Sequence, residues 1–262
     1  MPDIQNTVES KMMFQSTVAL SADCLRSRRI GVGRPSLKEG ITEKDFIGFA
    51  VLSTPLFLLK GEVSTKVFLM NTPELETPRL LLRKFTSDDL PALFAIYGDE
   101  EVNVHLPWFP LRSMEEASRF LEERYVRAYA EDCGYRYAVC LKADAVPIGY
   151  VNVDTDDSHD LGYGLRKEFW RQGIAREAAQ AVIEQVRRDG MPYVTATHDV
   201  RNPRSGSVMR AVGMRYMYSY EELWQPKNLL VTFRMYQLNL DGVDRVYRAY
   251  WNRYPKHFIE NL

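Results

Sequence analysis

The chain has 262 residues, of which 45% are hydrophobic and 26% charged, and its formal net charge is −1 at pH 7. This length suits one sizeable domain, or one domain with an appendage. Because acidic and basic residues nearly cancel, we expect no nucleic-acid partner, which would usually require a basic excess. Cys24, Cys133 and Cys140 lack metal-ligand spacing and leave an odd count, so we expect a reducing, cytoplasmic location and no metal site.

The first 69 residues show weak periodicity and no interpretable chemistry. They do not form a signal-peptide pattern, because Asp3 and Glu9 precede any apolar stretch. The apolar run 46–59 is shorter than the roughly 20 residues that span a bilayer, and Pro55 interrupts it. We therefore expect an N-terminal extension of unknown role over 1–69 and no membrane partner. A membrane-tethered interaction protein anchored by this run is the alternative.

From Glu76 onward, strand-like and helix-like segments alternate. Ser113 and Glu116 have capping-box spacing, which predicts the start of a helix that continues to Glu131. The predicted strands are 79–85, 135–141, 148–153, 161–165, 193–198, 214–222 and 229–240. The other predicted helices are one from about residue 88 through Ile96, 174–188, 203–212 and an aromatic, amphipathic tail helix after residue 242. Because these elements interleave without strict βαβ repetition, a mixed sheet is expected.

The segment from Leu161 to Val186 is the most informative, because a strand there leads through a short loop into a long helix. Free amides and the helix dipole at such a helix start favour an anion. Gly173 would let a bulky ligand approach the backbone, and Arg171 and Arg176 add positive charge. The segment predicts a pyrophosphate site. The alternative is an ordinary strand–loop–helix in which Gly173 is a turn residue.

Four segments in order resemble the GNAT acetyltransferases, and in particular their RimJ/RimL-like, ribosomal-protein-alanine branch. ETPRLLLRKFTSDDLPAL at 76–93 is similar to the family's first strand and helix, and GYGLRKEFWRQGIAREA to its acetyl-CoA motif. Asn202 to Ser205, followed by VMRAVGM at 208–214, is similar to the next motif, and the strand pair ending near Leu240 completes the pattern. The resemblance covers about residues 74–240.

The resemblance implies a GNAT fold, an α/β (α+β mixed) arrangement with a mostly antiparallel central sheet of about six to seven strands and helices on both faces. It implies a GNAT domain over 70–242, followed by the tail at 243–262. The implied function is direct transfer of an acetyl group from acetyl-CoA, a co-substrate, to a primary amine on a peptide N-terminus or a small molecule. The alternative is a catalytically weak acyl-CoA sensor. Because an aromatic tail can dock on its own domain or on a partner subunit, a homodimer stays open.

The resemblance also assigns the coenzyme site to the phosphate loop, the preceding strand and the next motif. The coenzyme-binding residues implied are Leu165, Arg171, Gln172, Gly173, Ile174, Ala175, Arg176, Asn202 and Ser205. Two positions depart from the family pattern. Trp170 stands where the loop usually has Gln or Arg, and Met209 stands where many members have a tyrosine that protonates the departing thiolate.

Three residues are candidates for catalysis, which needs a base for the amine and stabilisation of the thiolate. Asp160 precedes strand 161–165, where related enzymes often have Glu, and His198 ends the following strand. Ser205 is the substitute for the missing tyrosine acid. Each has a structural alternative: Asp160 as a solvated turn acid, His198 as a hydrogen-bonded structural histidine, and Ser205 as a helix cap.

The acceptor pocket is predicted between the first two helices and along one strand face. His105 and Trp108 lie in the loop VNVHLPWFPLRS, and Tyr150 and Asn152 alternate along the strand 148–153. The alternative for the loop, especially Phe109, is a hydrophobic plug.

Overall fold

The computed structural model describes residues 72–131 and 134–262. The first two residues of the predicted GNAT domain (70 and 71), the apolar run 46–59, Cys24 and Cys133 therefore lie outside the described residues. Within the described part, no helix is long and apolar enough to cross a membrane.

The described strands form two antiparallel sheets, one of five strands in the order β1–β2–β3–β4–β5 and one of four in the order β6–β8–β7–β9. Their bounds are β1 Leu75–Glu76, β2 Leu80–Arg83, β3 Tyr135–Leu141, β4 Pro147–Val153, β5 Leu161–Leu165, β6 Tyr193–Asp199, β7 Arg215–Trp224, β8 Leu229–Asn239 and β9 His257–Phe258. The mixed α/β class with antiparallel sheets is confirmed. The sheet of six to seven strands is corrected to two sheets, because a gap after β5 interrupts the hydrogen-bond ladder.

The helices lie between and around the sheets. Their bounds are α1 Leu90–Tyr97, α2 Glu100–Asn103, α3 Met114–Leu121, α4 Arg127–Glu131, α5 Ile174–Arg188, α6 Pro203–Ala211 and α7 Ala249–Arg253. A π-helical turn, Glu122–Val126, joins α3 to α4. The helix predicted over 113–131 is therefore helical throughout, with one widened turn.

Helix α5 and the strands around it are positioned by a continuous apolar core. The buried side chains of α5 recur at helical spacing, at Ile174, Ala178, Ala179, Val182, Ile183 and Val186. They pack in one cluster with the buried faces of β3, β4, β5 and β6. This packing fixes the start of α5 relative to the end of β5.

The predicted tail helix over 243–262 is wrong in extent. Helical structure is confined to Ala249–Arg253, because Pro255 follows and cannot continue the hydrogen-bond pattern. His257–Phe258 then pair with β7, at Tyr220 and Ser219 respectively. The tail thus docks on its own domain, as an edge strand and a short helix.

The two sheets separate between β5 and β6, which creates an open strand edge. In the described part of the chain they meet at one isolated parallel bridge, Asp160 with Thr195. The amide of Arg166 donates to Ile148 (2.9 Å), and the amide of Asp154 donates to the Asp160 carbonyl (3.1 Å). Even-numbered residues of β5 therefore bond to β4, and the main-chain groups of 161, 163 and 165 face the gap.

We propose that the folded unit begins near Met70, because the nine strands found among the described residues lie between Leu75 and Phe258 and already form both sheets. A fragment comprising residues 70–262 should therefore melt within about 2 °C of the full chain, since a change of 1 kcal/mol shifts the midpoint of a domain this size by only about 2–4 °C. Thermal unfolding followed by circular dichroism measures this. A fragment that is unfolded at 25 °C would show that the first residues complete the core.

Candidate active site

A cleft of about 1130 Å³ runs along the gap between β5 and β6. One end lies at the start of α5. The other end lies among the loop that follows α2, the β7–β8 hairpin and the tail. Of the residues predicted for the site, all except Gln172 line it: His105, Trp108, Tyr150, Asn152, Asp160, Leu165, Arg171, Gly173, Ile174, Ala175, Arg176, His198, Asn202 and Ser205.

The loop before α5 has a backbone conformation suited to an anion. Arg171 and Gly173 both have positive φ, 61° and 75°, and Gly173 is the N-cap of α5. Left-handed residues in such a loop can turn neighbouring amides toward one point, and the helix dipole adds positive potential there. Gly173 suits the left-handed conformation because it has no Cβ, whereas Arg171 is strained in it.

Two side chains brace this loop from outside. Arg79, just before β2, donates to the Gln172 carbonyl (2.9 Å) and through Nε to Glu177 (2.7 Å) on α5. The Trp170 indole donates to the Leu165 carbonyl (2.8 Å), and the Arg204 guanidinium lies 5.4 Å from the Trp170 ring centre. Trp170, which departs from the family pattern in sequence, therefore ties the loop to the end of β5.

Asp160 lies at the point where β5 and β6 meet. Its Oδ1 is buried and lacks a hydrogen-bond partner among the described residues. Burial, with added repulsion from Asp154 and Asp156, raises the pKa of Asp160 to about 8. A buried carboxyl group that faces a cleft and has a raised pKa is a candidate general base.

His198 is buried beneath α6, with 4% of its surface exposed. Its Nδ1 lies 2.8 Å from the Asp199 carbonyl, so Nδ1 carries the proton and donates it. Nε2 faces Gly206, where an added Cβ would stand 2.5 Å away. Burial lowers the pKa of His198, and the neutral ring packs 5.6 Å from that of Tyr236. These contacts favour the structural alternative for this histidine.

Ser205 forms a hydroxyl pair with Tyr163 of β5 across the cleft. The Tyr163 hydroxyl donates to the Ser205 carbonyl (2.7 Å), and its oxygen lies 3.0 Å from Ser205 Oγ. Asn202 caps α6, since its Oδ1 accepts from the Ser205 amide (3.4 Å). Met209 is buried in the core, with 1% of its surface exposed. Tyr163 and Ser205 therefore place two hydroxyl groups at the gap where Met209 offers none.

The protein-family model for the acetyltransferase (GNAT) domain matches residues 79–215 of the sequence, just over half of the chain. The chain belongs to the GNAT acetyltransferase family. The chain is 30% identical over 115 residues to YoaA, an uncharacterized N-acetyltransferase of Bacillus subtilis (strain 168). The aligned region covers 42% of this chain and 64% of YoaA. The chain thus spans slightly less than two thirds of that relative.

Solved structures share the GNAT fold at low sequence identity. RimL, a ribosomal L7/L12 alpha-N-protein acetyltransferase in complex with coenzyme A, has a TM-score of 0.58 and 18% identity, covering 65% of this chain and all of RimL. The ribosomal-protein-S5-alanine acetyltransferase of Vibrio fischeri has a TM-score of 0.53 and 21% identity, covering 66% of this chain and all of that enzyme. At these identities the likeness establishes the fold alone.

The far end of this GNAT cleft contains the residues predicted for an acceptor. The His105 ring lies 3.2 Å from the Asp199 carboxylate, and the Trp108 indole donates to Asn103 (3.1 Å). Tyr150 and Asn152 are buried on β4. Phe109, by contrast, does not plug the loop, because 46% of it is exposed.

Several cleft residues were missed from sequence. They are Arg124 on the π-helical turn, Tyr163 on β5, Tyr220 and Glu222 on β7, Phe233 on β8, and Tyr250 and Tyr254 in the tail. Tyr163 stands between two glycines in the acetyl-CoA motif, a signal that could have drawn attention to it. The tail rings could not be placed, because they reach the cleft only after the chain has folded back onto β7.

A pair of glycine substitutions tests the packing of His198. We expect Gly206→Ala to destabilise the protein by about 1–3 kcal/mol, because the new Cβ would overlap the His198 ring. Gly162→Ala is the matched control: its Cβ would meet nothing within 4 Å, so its stability should stay within about 0.5 kcal/mol of wild type. Urea unfolding measures both. Equal stability of the two variants would mean that the His198 ring is free to leave its position.

Proposed function

We propose that this protein transfers an acetyl group from acetyl-CoA to a primary amine by direct attack within a ternary complex. The observation that carries the proposal is the open edge of β5, which leads from the anion-binding loop at Gly173 to the carboxyl group of Asp160. Family membership and the resemblance to coenzyme A complexes support it.

The coenzyme's pyrophosphate fits the loop before α5. Backbone amides over 172–176 would donate to its oxygens, which places Gln172, Gly173, Ile174 and Ala175 in the site through their main chain. Arg171 and Arg176 are exposed beside the loop and add positive charge. On the other wall, Asn202 and Ser205 belong to the turn that starts α6.

The pantetheine arm fits the gap between the sheets. Its amides would pair with the main-chain groups of residue 163 and with the Leu165 amide, extending the sheet as a strand would. The Leu165 carbonyl already accepts a hydrogen bond from the Trp170 indole. The group of Leu165 that we expect to pair with the coenzyme is therefore its N–H.

Asp160 is the proposed base and the hydroxyl pair the proposed acid. Acetyl-CoA supplies the acetyl group as a thioester. The amine nitrogen attacks the thioester carbon, the C–N bond forms and the C–S bond breaks. Asp160 accepts the proton lost from nitrogen, directly or through water, and Ser205 or Tyr163 donates a hydrogen bond or a proton to the sulfur. His198 is not needed in this scheme.

An α-amine is the favoured acceptor. The ordinary pKa of a peptide α-amine, about 8, is close to the pKa of Asp160, so proton transfer between them would be nearly balanced, whereas a lysine side chain, with a pKa near 10.4, would stay charged. RimL is named as an alpha-N-protein acetyltransferase, which suggests a protein N-terminus as one source of the amine, and small molecules are another.

The test is release of CoA thiol from acetyl-CoA, measured over a panel of peptide and small-molecule amines. Amine-dependent release, with the acetylated amine identified by mass spectrometry, would establish the activity. Tight acetyl-CoA binding without release on any amine would favour the acyl-CoA sensor.

A further inference from the structure

Arg124 is a cation without a counter-ion at the acceptor end of the cleft. It lies on the π-helical turn Glu122–Val126, with its guanidinium 4.7 Å from the Trp108 ring centre and 5.8 Å from that of Phe120. Its Nε is buried and has no hydrogen-bond partner in the part of the chain that the structure describes. Within residues 72–131 and 134–262, no carboxylate forms an ion pair with it.

This arrangement is costly unless a ligand completes it. A guanidinium cannot lose its proton in a protein, so a desolvated arginine needs an anion or a set of acceptors. The neighbouring carboxylate of Asp154 is already engaged by Arg136. Asp160 influences Arg124 electrostatically, but burial keeps its carboxyl group largely protonated at neutral pH. The local charge is therefore positive.

Asn152 adds two unmet hydrogen-bonding groups at the same place. It is 4% exposed, and neither its Oδ1 nor its Nδ2 makes a hydrogen bond of normal geometry among the described residues. Burial raises the pKa of the neighbouring Tyr125 hydroxyl, and the Asn152 amide offsets part of that rise. Asn152 pairs with Gly162 across β4 and β5, and a Cβ on Gly162 would meet no atom within 4 Å. An open space therefore stands beside the Asn152 amide and Asp160, and all of these residues line the cleft.

We propose that the acceptor is an α-amino acid or a close analogue, whose carboxylate is bound by Arg124 and Asn152 while its amine faces Asp160. The planar guanidinium lies over the Trp108 ring, and its fork of N–H groups suits a carboxylate. The Asn152 Nδ2 donates a further hydrogen bond. In an α-amino acid the amine and the carboxylate share one carbon, so both fit in a single small subsite.

The aromatic wall beyond this subsite selects the side chain. Tyr220 stacks on Tyr250 (5.2 Å) and Tyr254 (4.8 Å), and Trp224 contacts Phe233 (4.9 Å). These rings line the cleft, so an aromatic or large aliphatic side chain on the amino acid suits them. This choice of acceptor rests on the proposed acetyl transfer.

The experiment compares two ligands that differ in one charge, N-acetyl-phenylalanine and its carboxamide, titrated calorimetrically into the full chain with saturating CoA. We expect the carboxylate to bind at least tenfold more tightly than the amide in the wild type. Arg124→Gln should remove this difference, and Arg124→Lys, which keeps the charge without the planar fork, should retain part of it. The control is Arg127→Gln, which removes an exposed arginine from the next turn and should behave as wild type.

The result that overturns the inference is equal binding of the two ligands by the wild type, or a carboxylate preference that survives in Arg124→Gln. Failure of Arg124→Gln to fold would leave the wild-type and Arg124→Lys comparisons to decide. Titration of acetyl-CoA in the same series separates the two proposals. If the wild type does not bind acetyl-CoA, the proposed acetyl transfer is refuted. If the wild type binds acetyl-CoA but shows no preference for the carboxylate ligand, only the amino acid acceptor is refuted.

Discussion

Replacing Gly173 with glutamate should weaken acetyl-CoA binding by at least about 100-fold, equivalent to roughly 2.7 kcal/mol. The new side chain would stand at the mouth of the loop where the amides of the α5 N-terminus converge, and its negative charge would repel a pyrophosphate. The exposed position of Gly173 leaves room for the side chain without a clash in the core, since the nearest atom to an added Cβ is Arg79 Nη2 at 3.6 Å. Calorimetric titration of acetyl-CoA measures the change.

The control must carry the same backbone strain, because Gly173 has φ 75°. Gly190, at the other end of the same helix, has φ 85° and no atom within 4 Å of an added Cβ. Gly190→Glu therefore pays a similar conformational cost far from the cleft, and we expect it to bind acetyl-CoA as the wild type does. A Gly173→Ala variant adds a Cβ at the same position but no charge, so its comparison with Gly173→Glu separates the effect of backbone strain from the effect of charge. Undiminished binding by Gly173→Glu would mean that the coenzyme does not use this loop.

The strands and helices near the phosphate loop could be predicted from sequence because their patterns are strong. Strand 161–165 and helix 174–188 were predicted at their observed bounds, since the apolar spacing of α5 records the face it buries. Strand β9 could not be predicted in this way. Two residues carry no periodicity, and His257–Phe258 become a strand because β7 offers an edge.

The two ends of the cleft differ in how far sequence could define them. The phosphate loop is one contiguous segment, so Gly173 and its flanking arginines stand out. The acceptor end draws Arg124, Asn152 and Tyr250 from elements far apart in the chain. Within the run EERYVR, Arg124 looks like a solvated helix residue, and the π-helical turn and the Trp108 ring that hold it in the cleft appear only in three dimensions. His198, a candidate base in sequence, lies under α6 instead.

Replacing Asp160 with asparagine should lower kcat/KM for acetyl transfer by about 10²–10⁴-fold, the usual contribution of a positioned general base. Asparagine keeps the size of the side chain but cannot accept the proton. In the wild type, log kcat/KM should rise with pH and level off above the pKa of Asp160, about 8. Because the acceptor amine titrates in the same range and adds its own limb to kcat/KM, kcat at saturating acceptor is measured as well. It follows the ionisation of Asp160 in the ternary complex, and Asp160→Asn should lose that limb. An unchanged pH profile in the variant would exclude Asp160 as the base.

Stability should respond to the same group with a definite sign. Burial raises the pKa of Asp160 from its ordinary value of 3.8, so the folded state holds a proton that the unfolded state has released between about pH 4 and pH 8. The folded state binds more protons in this window, and the free energy of unfolding therefore falls as pH rises through it. Asp160→Asn lacks this term, so its stability relative to wild type should increase steadily from pH 5 to pH 8.5 in urea unfolding. A relative stability that stays constant with pH would mean that Asp160 is ionised and solvated in the folded protein, and the argument for it as a base near neutral pH would fail with it.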